Sequence, residues 1–240
     1  MTHLYTDLAR VYHEMYQTLF DYKAEFNRYH RLLQKVSSCR SVLEVGCGSG
    51  NLAPFFRDAG YTYCGLDLNR EMLVIARELH PQAVFMQADM RDFQVHEAYD
   101  AVIVSGRSFG YLITNQDVMQ ALGCFHKAIN GSGILILDSF NAESVIQNEY
   151  APFTQEVECD GRKVTRINRR SLNLETGFTW NWDAEYLIDD EKGNTRTVHD
   201  HTVLRAFTES ELTLFLRLSG FTVLDVNKEN QMLIACKKQD

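Results

Sequence analysis

Three glycines and a carboxylate stand close together in the segment 41–51, whose sequence is SVLEVGCGSGN. Glu44 precedes Gly46 by two positions, and Gly48 and Gly50 follow at every second residue. Glycines form turns that residues with a Cβ adopt only at a cost, and they let the backbone lie against a ligand. The apolar residues before them are typical of a buried strand. The segment predicts a strand, a loop and a helix that bind a nucleotide-type cofactor; a tight turn without a ligand is the alternative.

A second carboxylate stands where a doubly wound fold places its ribose-binding group. Asp67 ends the strand-like run 61–68, roughly twenty residues beyond the glycines. A carboxylate there can accept both ribose hydroxyls. The alternative is that Asp67 caps the helix expected over 69–79, because Asp and Asn are preferred at helix starts.

Polar or glycine-rich residues follow two further strand-like runs. Asp89 and Met90 follow the run 83–88, and the run 99–105 ends in Ser105 before the segment GRSFGY. Ligands of open α/β sheets bind at the carboxyl ends of the strands, near the point where the strand order reverses. We therefore expect four strand ends to meet at one crevice.

The elements that position these residues follow the order α, βαβαβαβ, an insertion, and αββ. A tyrosine-rich helical leader is expected over 4–36. A helix over 115–129 is expected to end at the segment NGSG, 130–133, before a strand over 134–138. Thr208 with Glu211 has the spacing of a capping box and predicts the start of the last helix.

The insertion has the alternating pattern of β-strands. The runs 163–173, 178–188 and 195–206 alternate apolar and polar residues, and turn-like segments at 175–177 and 190–194 join them. This pattern predicts an antiparallel meander placed after the fifth strand, where it would form a lid over the site. The expected division is a core of 1–142 and 206–240 with a lid of 143–205.

Composition argues against several classes of protein. The chain has 240 residues and a formal net charge of -8 without a strong basic patch, which argues against nucleic acid as a partner. The basic residues of 162–170 are expected on a solvated sheet face, with phosphate binding as the alternative. Six scattered cysteines without a C-x-x-C pair are interpreted as reduced packing residues, and no spacing indicates a metal site.

The sequence also lacks the features of membrane and secreted proteins. No apolar run reaches the roughly eighteen residues of a membrane span, and the first residues lack the basic and apolar regions of a signal peptide. A cytoplasmic location and no membrane partner are expected. A homodimer is left open.

The pattern E-x-G-x-G-x-G at 44–50 resembles motif I of the class I S-adenosylmethionine (SAM) dependent methyltransferases. The two strand-like runs 221–226 and 232–236 fit the closing hairpin of that family. The resemblance implies an α/β fold with a Rossmann-like, doubly wound, seven-stranded sheet whose last strand is antiparallel. It also implies SAM as the cofactor and S-adenosylhomocysteine as its product.

The same resemblance implies roles for the residues at the strand ends. Glu44, Gly46 and Gly48 would surround the methionine part of SAM, and Ser105 would line the sulfonium. The ribose and adenine would contact the residues that end the second and third strands, which are Asp67, Leu68, Asp89 and Met90. Each has a structural alternative: core packing for Leu68 and Met90, a cap for Asp89, a strand end for Ser105.

A narrower resemblance covers the rest of the chain. The segments VYHEMY (11–16), DMRDF (89–93), FGYL (109–112), EYLIDD (185–190) and HTVLRAF (201–207) are similar to the nucleotide-sugar N,N-dimethyltransferases. These enzymes methylate the amino group of deoxyaminosugars, which implies that the acceptor is a small molecule and that an amine is methylated. The segment GRS at 106–108 departs from their pattern and leaves the acceptor open.

Candidate catalytic residues follow from this resemblance and from the loops. Tyr16 matches a leader tyrosine of the sugar enzymes, and Tyr111 stands where those enzymes place a His or Tyr. Arg107 could pair with an acidic acceptor, and His201 lies in the lid. Packing is the alternative for each. In-line methyl transfer needs positioning and exclusion of solvent rather than a metal. An O- or C-methyltransferase acting on a small acidic metabolite, or a SAM-binding protein without turnover, remain as alternative functions.

Overall fold

The computed structural model describes residues 3–35, 39–147, 151–159, 161–190, 194–228 and 232–239. In these ranges, amphipathic runs form helices and apolar runs form strands. The helices are α1 (Ala9–Leu19), α2 (Tyr22–Leu33), α3 (Ala53–Asp58), α4 (Arg70–Leu79), α5 (Asn115–Ala128), α6 (Ala142–Gln147) and α7 (Glu209–Leu218). The strands are β1 (Ser41–Val45), β2 (Thr62–Asp67), β3 (Val84–Gln87), β4 (Tyr99–Val104), β5 (Ile129–Ser139), β6 (Phe153–Cys159), β7 (Arg162–Leu172), β8 (Phe178–Asp189), β9 (Thr195–Ala206), β10 (Phe221–Asn227) and β11 (Met232–Lys238).

Seven strands form the central sheet, in the order β10-β11-β5-β4-β1-β2-β3. β1 is parallel to both β2 and β4, whereas β11 is antiparallel to its neighbours β5 and β10. The predicted seven-stranded, doubly wound sheet with an antiparallel last strand is confirmed. The strand order reverses between β1 and β4, so their carboxyl ends flank the place where such sheets bind ligands.

Helices cover both faces of this sheet. On one face α5 and α7 pack on β4, β5 and β11, with Phe125 at the centre. On the other face α2, α3 and α4 pack on the same sheet, with Phe56 at the centre. Both phenylalanines are fully buried. Burial on both faces explains why β1 and β4 are nearly continuous apolar runs.

The insertion forms a second, antiparallel sheet in the order β6-β7-β8-β9. The three predicted strands are present, and β6 is an additional strand that the sequence analysis missed. The middle residues of the turn expected at 190–194 lie outside the described residues. One face of this sheet packs on α1, where Met15 contacts the cluster that contains Val164 and Tyr186. The leader and the second sheet are therefore packed together; the division into core and lid stays a prediction.

Side-chain caps fix the starts of several helices. Thr208 Oγ1 accepts the backbone N–H of Glu211 at 3.1 Å, as predicted for α7. Asp21 accepts the N–H of Ala24 at 2.9 Å and begins α2, so the helical leader contains two α-helices. The last residue of the predicted leader, Val36, lies outside the described residues.

The junction between α5 and β5 corrects one prediction. The segment 130–133 was expected to end a helix, but α5 ends at Ala128 and β5 begins directly at Ile129. A Cβ on Gly133 would lie 2.6 Å from the backbone oxygen of Asp100. Asn130 also donates to the Asp100 carboxylate at 2.5 Å. Gly133 therefore serves the close approach of β5 to β4 and not a turn, because tertiary contacts decide the local conformation.

Replacing Gly133 by alanine tests this interpretation against a matched glycine. We expect Gly133→Ala to lower the free energy of unfolding by about 1–3 kcal/mol, because the new methyl group overlaps the Asp100 backbone. Gly123→Ala, inside α5 with open space around it, should raise stability by up to about 1 kcal/mol through helix propensity. Urea unfolding of both variants measures the difference, and equal effects would contradict the close-approach explanation.

Candidate functional site

A cleft lies where the carboxyl ends of β1, β4 and β5 meet the two leader helices. Its wall includes the glycine loop after β1, the segment after β4 and aromatic residues of α1. Six residues singled out from the sequence line this one cleft: Tyr16, Glu44, Gly46, Gly48, Ser105 and Arg107. Strand ends that are far apart in the sequence are therefore close together in the fold.

The glycine loop is held against β2 by its own backbone. The N–H groups of Gly46 and Cys47 both donate to the carbonyl oxygen of Leu66, at 2.8 and 3.0 Å. Gly46 has a φ of 75°, and a Cβ there would lie 2.1 Å from the hydroxyl oxygen of Ser108. Both the backbone conformation and the space around Gly46 therefore require glycine.

Glu44 is a buried carboxylate that two hydroxyl groups hold in place. Its Oε1 accepts from the Ser105 hydroxyl at 2.5 Å, and its Oε2 accepts from the Tyr63 hydroxyl at 2.6 Å. Burial raises the pKa of Glu44 to about 7, although these two hydrogen bonds act in the opposite direction. A cationic ligand beside Glu44 would favour its ionised form.

Asp67 joins the end of β2 to the glycine loop. Its Oδ2 accepts the N–H of Gly48 at 2.8 Å, and its Oδ1 accepts the N–H of Asn69 at 2.8 Å. Asn69, not Asp67, is the N-cap residue of α4, so helix capping does not explain Asp67. The neighbouring Leu68 side chain is 54% exposed, so packing in the core does not explain Leu68 either.

Asp89 and Met90 lie after β3, outside the residues that line the cleft. Asp89 Oδ2 forms an ion pair with Arg91 at 2.6 Å, and Arg91 also reaches Asp117 at 2.7 Å. The hydrogen bond from Arg91 lowers the pKa of Asp89. Met90 packs at the edge of the core. The predicted adenine contacts thus lie beyond the second and third strands, separate from the cleft.

Tyr111 and His201 do not line the cleft. The Tyr111 hydroxyl is hydrogen bonded to that of Tyr5 at 2.6 Å, so Tyr111 contacts the leader. His201 is exposed and pairs with Asp183 at 2.6 Å. Along β9, Asp200 lies opposite Ala184 on the face that packs on α1, and His201 therefore lies on the other face. The structure does not bring His201 to the cleft.

Arg166 corrects the expectation that the basic run of β7 is solvated. Its side chain is 4% exposed and lies over the Tyr16 ring, with 5.5 Å between the guanidinium carbon and the ring centroid. It donates to the Tyr16 hydroxyl at 3.3 Å. The sequence analysis missed this contact because it joins the leader to an insertion about 150 residues later in the chain.

Asp138 is a second residue that the sequence analysis missed. It stands near the end of β5, is 2% exposed and lines the cleft. Burial raises the pKa of Asp138 to about 6, and the charge of Arg107 acts in the opposite direction. The sequence analysis considered the residues at the ends of the first four strands only. Asp138 ends the predicted fifth strand, so the same reasoning applied to that strand would have found it.

The described ranges contain neither a metal centre nor a membrane-spanning helix. No group of three His, Cys, Asp or Glu residues in these ranges is placed to hold a metal ion. No helix within them is long and apolar enough to cross a membrane. The described cysteine side chains are free thiols, and that of Cys159 lies outside the described residues.

The sheet order and the glycine loop define a Rossmann-like protein that binds a nucleotide-type cofactor at the switch point. Residues 42–133 match the family model of a methyltransferase domain. A Geobacillus sp. (strain WCH70) protein named "Putative methyltransferase" is 30% identical over 79% of this chain and 77% of its own length. The chain belongs to the SAM-dependent methyltransferases.

Two further relatives extend over most of the chain. The dTDP-3-amino-3,4,6-trideoxy-alpha-D-glucopyranose N,N-dimethyltransferase of Streptomyces venezuelae is 27% identical over 85% of this chain and 84% of its own. The SAM-bound structure of CalS10, an amino pentose methyltransferase from Micromonospora echinaspora, superposes with a TM-score of 0.81 at 22% identity. The match covers 95% of this chain and 97% of the CalS10 chain, and the two proteins share the fold.

Glu44 predicts a pH dependence of stability. Its pKa is about 7 in the folded chain against an ordinary value of 4.5, so the folded chain binds a proton that the unfolded chain lacks between these values. This contribution to the free energy of unfolding is complete below pH 4.5 and is lost as the pH rises through 7.

The variant Glu44→Gln should therefore lose less stability than the wild type between pH 4.5 and 7. Urea unfolding at several pH values measures the two slopes without ligand. Glu97→Gln, at an exposed position, is the control and should keep the wild-type slope. Identical slopes for the wild type and Glu44→Gln would show that Glu44 titrates normally.

Proposed function

We propose that this methyltransferase transfers the SAM methyl group to a small-molecule amine, of the kind found in an aminosugar. The observation that carries the proposal is the composition of the cleft. The cleft is lined by the glycine loop and by tyrosines of α1. These tyrosines also pack on the inserted sheet. A cleft with aromatic walls suits a small acceptor. The name of the Streptomyces venezuelae relative supports an amine as the acceptor.

The residues at the strand ends have the chemistry needed to bind the separate parts of SAM. Glu44, Gly46 and Gly48 would hold the methionine part, and Ser105 would line the sulfonium, which supplies the methyl group. Asp67 would accept the ribose hydroxyls while its Oδ2 keeps the Gly48 N–H. The exposed Leu68 would pack on the adenine, and Asp89 and Met90 would meet its edge and face.

The residues near the acceptor act by orientation and exclusion of water. Tyr16 lines the cleft, and Arg166 fixes its ring and hydroxyl. Tyr111, held by Tyr5, would lie at the acceptor end. The acceptor amine must be neutral to attack the methyl carbon, and a preorganised, water-poor site can supply most of the acceleration. His201 is the weakest of the proposed residues, because it lies on the outer face of the lid.

A second candidate function rests on Arg107. The guanidinium of Arg107 lies over the Phe20 and Phe140 rings, and none of the ion pairs in the described ranges includes it. A cation that lines the cleft would suit O- or C-methylation of a small acidic metabolite. A SAM-binding protein without turnover is the remaining alternative. The cytoplasmic location and the homodimer stay predictions.

Turnover with two panels of acceptors distinguishes these functions. The purified protein is incubated with SAM and with either amines, including nucleotide-linked aminosugars, or small carboxylic acids. We expect release of S-adenosylhomocysteine, and a mass increase of the acceptor, with amines only. Product from acids alone would favour the Arg107 alternative. Calorimetric binding of SAM without product from either panel would favour a protein without turnover.

Tyr16→Phe tests the acceptor end of the cleft. Removing the hydroxyl takes away the acceptor of the Arg166 hydrogen bond, so we expect turnover to fall about tenfold while SAM affinity changes little. Tyr61→Phe is the matched control and should keep the wild-type rate, because the Tyr61 hydroxyl bonds His30 and neither residue lines the cleft. A wild-type rate for Tyr16→Phe would assign Tyr16 to packing alone.

A further inference from the structure

Arg166 is a cation buried behind the tyrosine wall of the cleft. Its Nε and Nη2 both donate to Oε1 of Gln155 on β6, the first at 3.1 Å. Its Nη1 donates at 3.3 Å to the hydroxyl of Tyr16, and Tyr16 lines the cleft. Among the residues that the structure describes, no ion pair includes Arg166. Neutral groups therefore hold a positive charge one side chain away from the cleft.

The surroundings of Arg166 keep its guanidinium protonated. Tyr186 lies directly opposite Arg166 on β8, and Tyr16 packs against it from α1. Burial acts to lower the pKa of Arg166, but these two tyrosines outweigh it, and the pKa is raised. The charge is therefore present at every pH at which an enzyme assay is run.

The carboxylates of the neighbouring elements do not contact this charge. Glu156 and Glu158 alternate with Gln155 along β6 and lie on the other face of the sheet. Glu14 of α1 precedes the cleft-lining Tyr16 by two residues, which places it roughly 200° away around the helix. Asp200 shares the face of Arg166 but belongs to the second strand from it.

The other cations near the cleft either reinforce Arg166 or are balanced. Arg170 lies on the same face of β7 as Arg166 and stacks over Phe153 at 5.2 Å. Arg107 lines the cleft, but its charge and its backbone N–H already act on Asp138. The potential behind the tyrosine wall is therefore positive, and Arg166 is the charged side chain that contacts that wall.

A positive potential changes the protonation of an amine. An alkyl amine such as the lysine side chain has a pKa of about 10 in water, so most of it is an ammonium at neutral pH. The ammonium has no lone pair and cannot attack a methyl group. A nearby positive charge disfavours the ammonium, and so does removal from water. A fixed cation can thus do what a general base would otherwise do.

We propose that Arg166 keeps the bound acceptor amine in its neutral form through its positive charge, with Tyr16 as the side chain between them. This inference rests on the proposed function and adds the group that makes the amine reactive. Arg166 does not line the cleft, so it acts through space and through the Tyr16 hydroxyl. The proton of the ammonium leaves to solvent as the acceptor binds.

The same charge is compatible with the transfer step. The lone pair of the acceptor nitrogen forms the new N–C bond while the S–C bond of the sulfonium breaks, and the electron pair of that bond stays on sulfur. The products are a neutral thioether and a methylated ammonium, which then releases a proton to solvent. In the transition state the positive charge is divided between sulfur and nitrogen. Arg166 therefore disfavours the transition state less than it disfavours the fully charged ammonium.

The pH dependence of kcat tests this inference. It is measured with saturating SAM and with the amine that reacts fastest in the panel of amines. We expect the wild-type kcat to rise with pH as the bound amine loses its proton. Arg166→Gln should move the midpoint of this rise upward by about one pH unit and lower kcat about three- to tenfold at neutral pH, with rates converging at high pH. Arg166→Lys keeps the charge and should keep the wild-type midpoint.

The controls separate the charge of Arg166 from folding and from charge elsewhere. Arg169→Gln removes the same charge from the exposed face of β7, where Arg169 lies 3.9 Å from Glu185, and should keep the wild-type profile. Calorimetric affinity for S-adenosylhomocysteine should be the same in all variants. If Arg166→Gln does not fold, the wild-type midpoint supplies the test: it should lie at least about one pH unit below the pKa of the same amine in water.

Three results would overturn the inference. An equal fall of kcat at every pH with an unchanged midpoint would show that Arg166 only supports the shape of the cleft. A wild-type midpoint at or above the pKa of the free amine would show that the charge does not act on the acceptor. Absence of turnover with every amine would remove the proposed function as well, whereas turnover with an unshifted midpoint removes this inference alone.

Discussion

The contact between the glycine loop and the end of β2 is the constraint on which the site depends. Two N–H groups of the loop donate to Leu66, and Asp67 accepts a third from Gly48. These bonds fix the loop in left-handed conformations and leave its outer side free for a ligand. These bonds place the carboxylate of Asp67 in a buried position next to a backbone turn. The burial of this carboxylate is tolerated because both of its oxygens accept hydrogen bonds.

The acceptor end of the cleft depends on packing between distant parts of the chain. Arg166 is buried, and the partners of its side chain among the described residues include Gln155 and Tyr16, which are neutral. Burying a guanidinium in this way is tolerable because a polarised ring and neutral oxygens surround it. The contact ties the leader to the inserted sheet, so the two parts that would enclose an acceptor are aligned by one cation.

The sequence was sufficient for the fold because the relevant patterns are local. Buried strands, glycines and capping residues such as Thr208 act over a few residues, and their positions fixed the sheet and the first four strand ends. The predictions failed where contacts between distant parts of the chain determine the local structure. Gly133 looked like part of a helix stop, but the backbone of Asp100 is what requires a glycine there. The burial of Arg166 depends on α1, and the burial of Asp138 depends on neighbours that no local pattern specifies.

The position of β11 has a consequence for the order in which the molecule can be assembled. β11 lies between β5 and β10, so the edge of β5 that carries Asp138 stays without a neighbour until a segment almost a hundred residues later has been added. During synthesis the half-built sheet has an open apolar edge of the kind that pairs with other chains. Fragments of the chain that end before β11 therefore expose this apolar edge, which favours their aggregation.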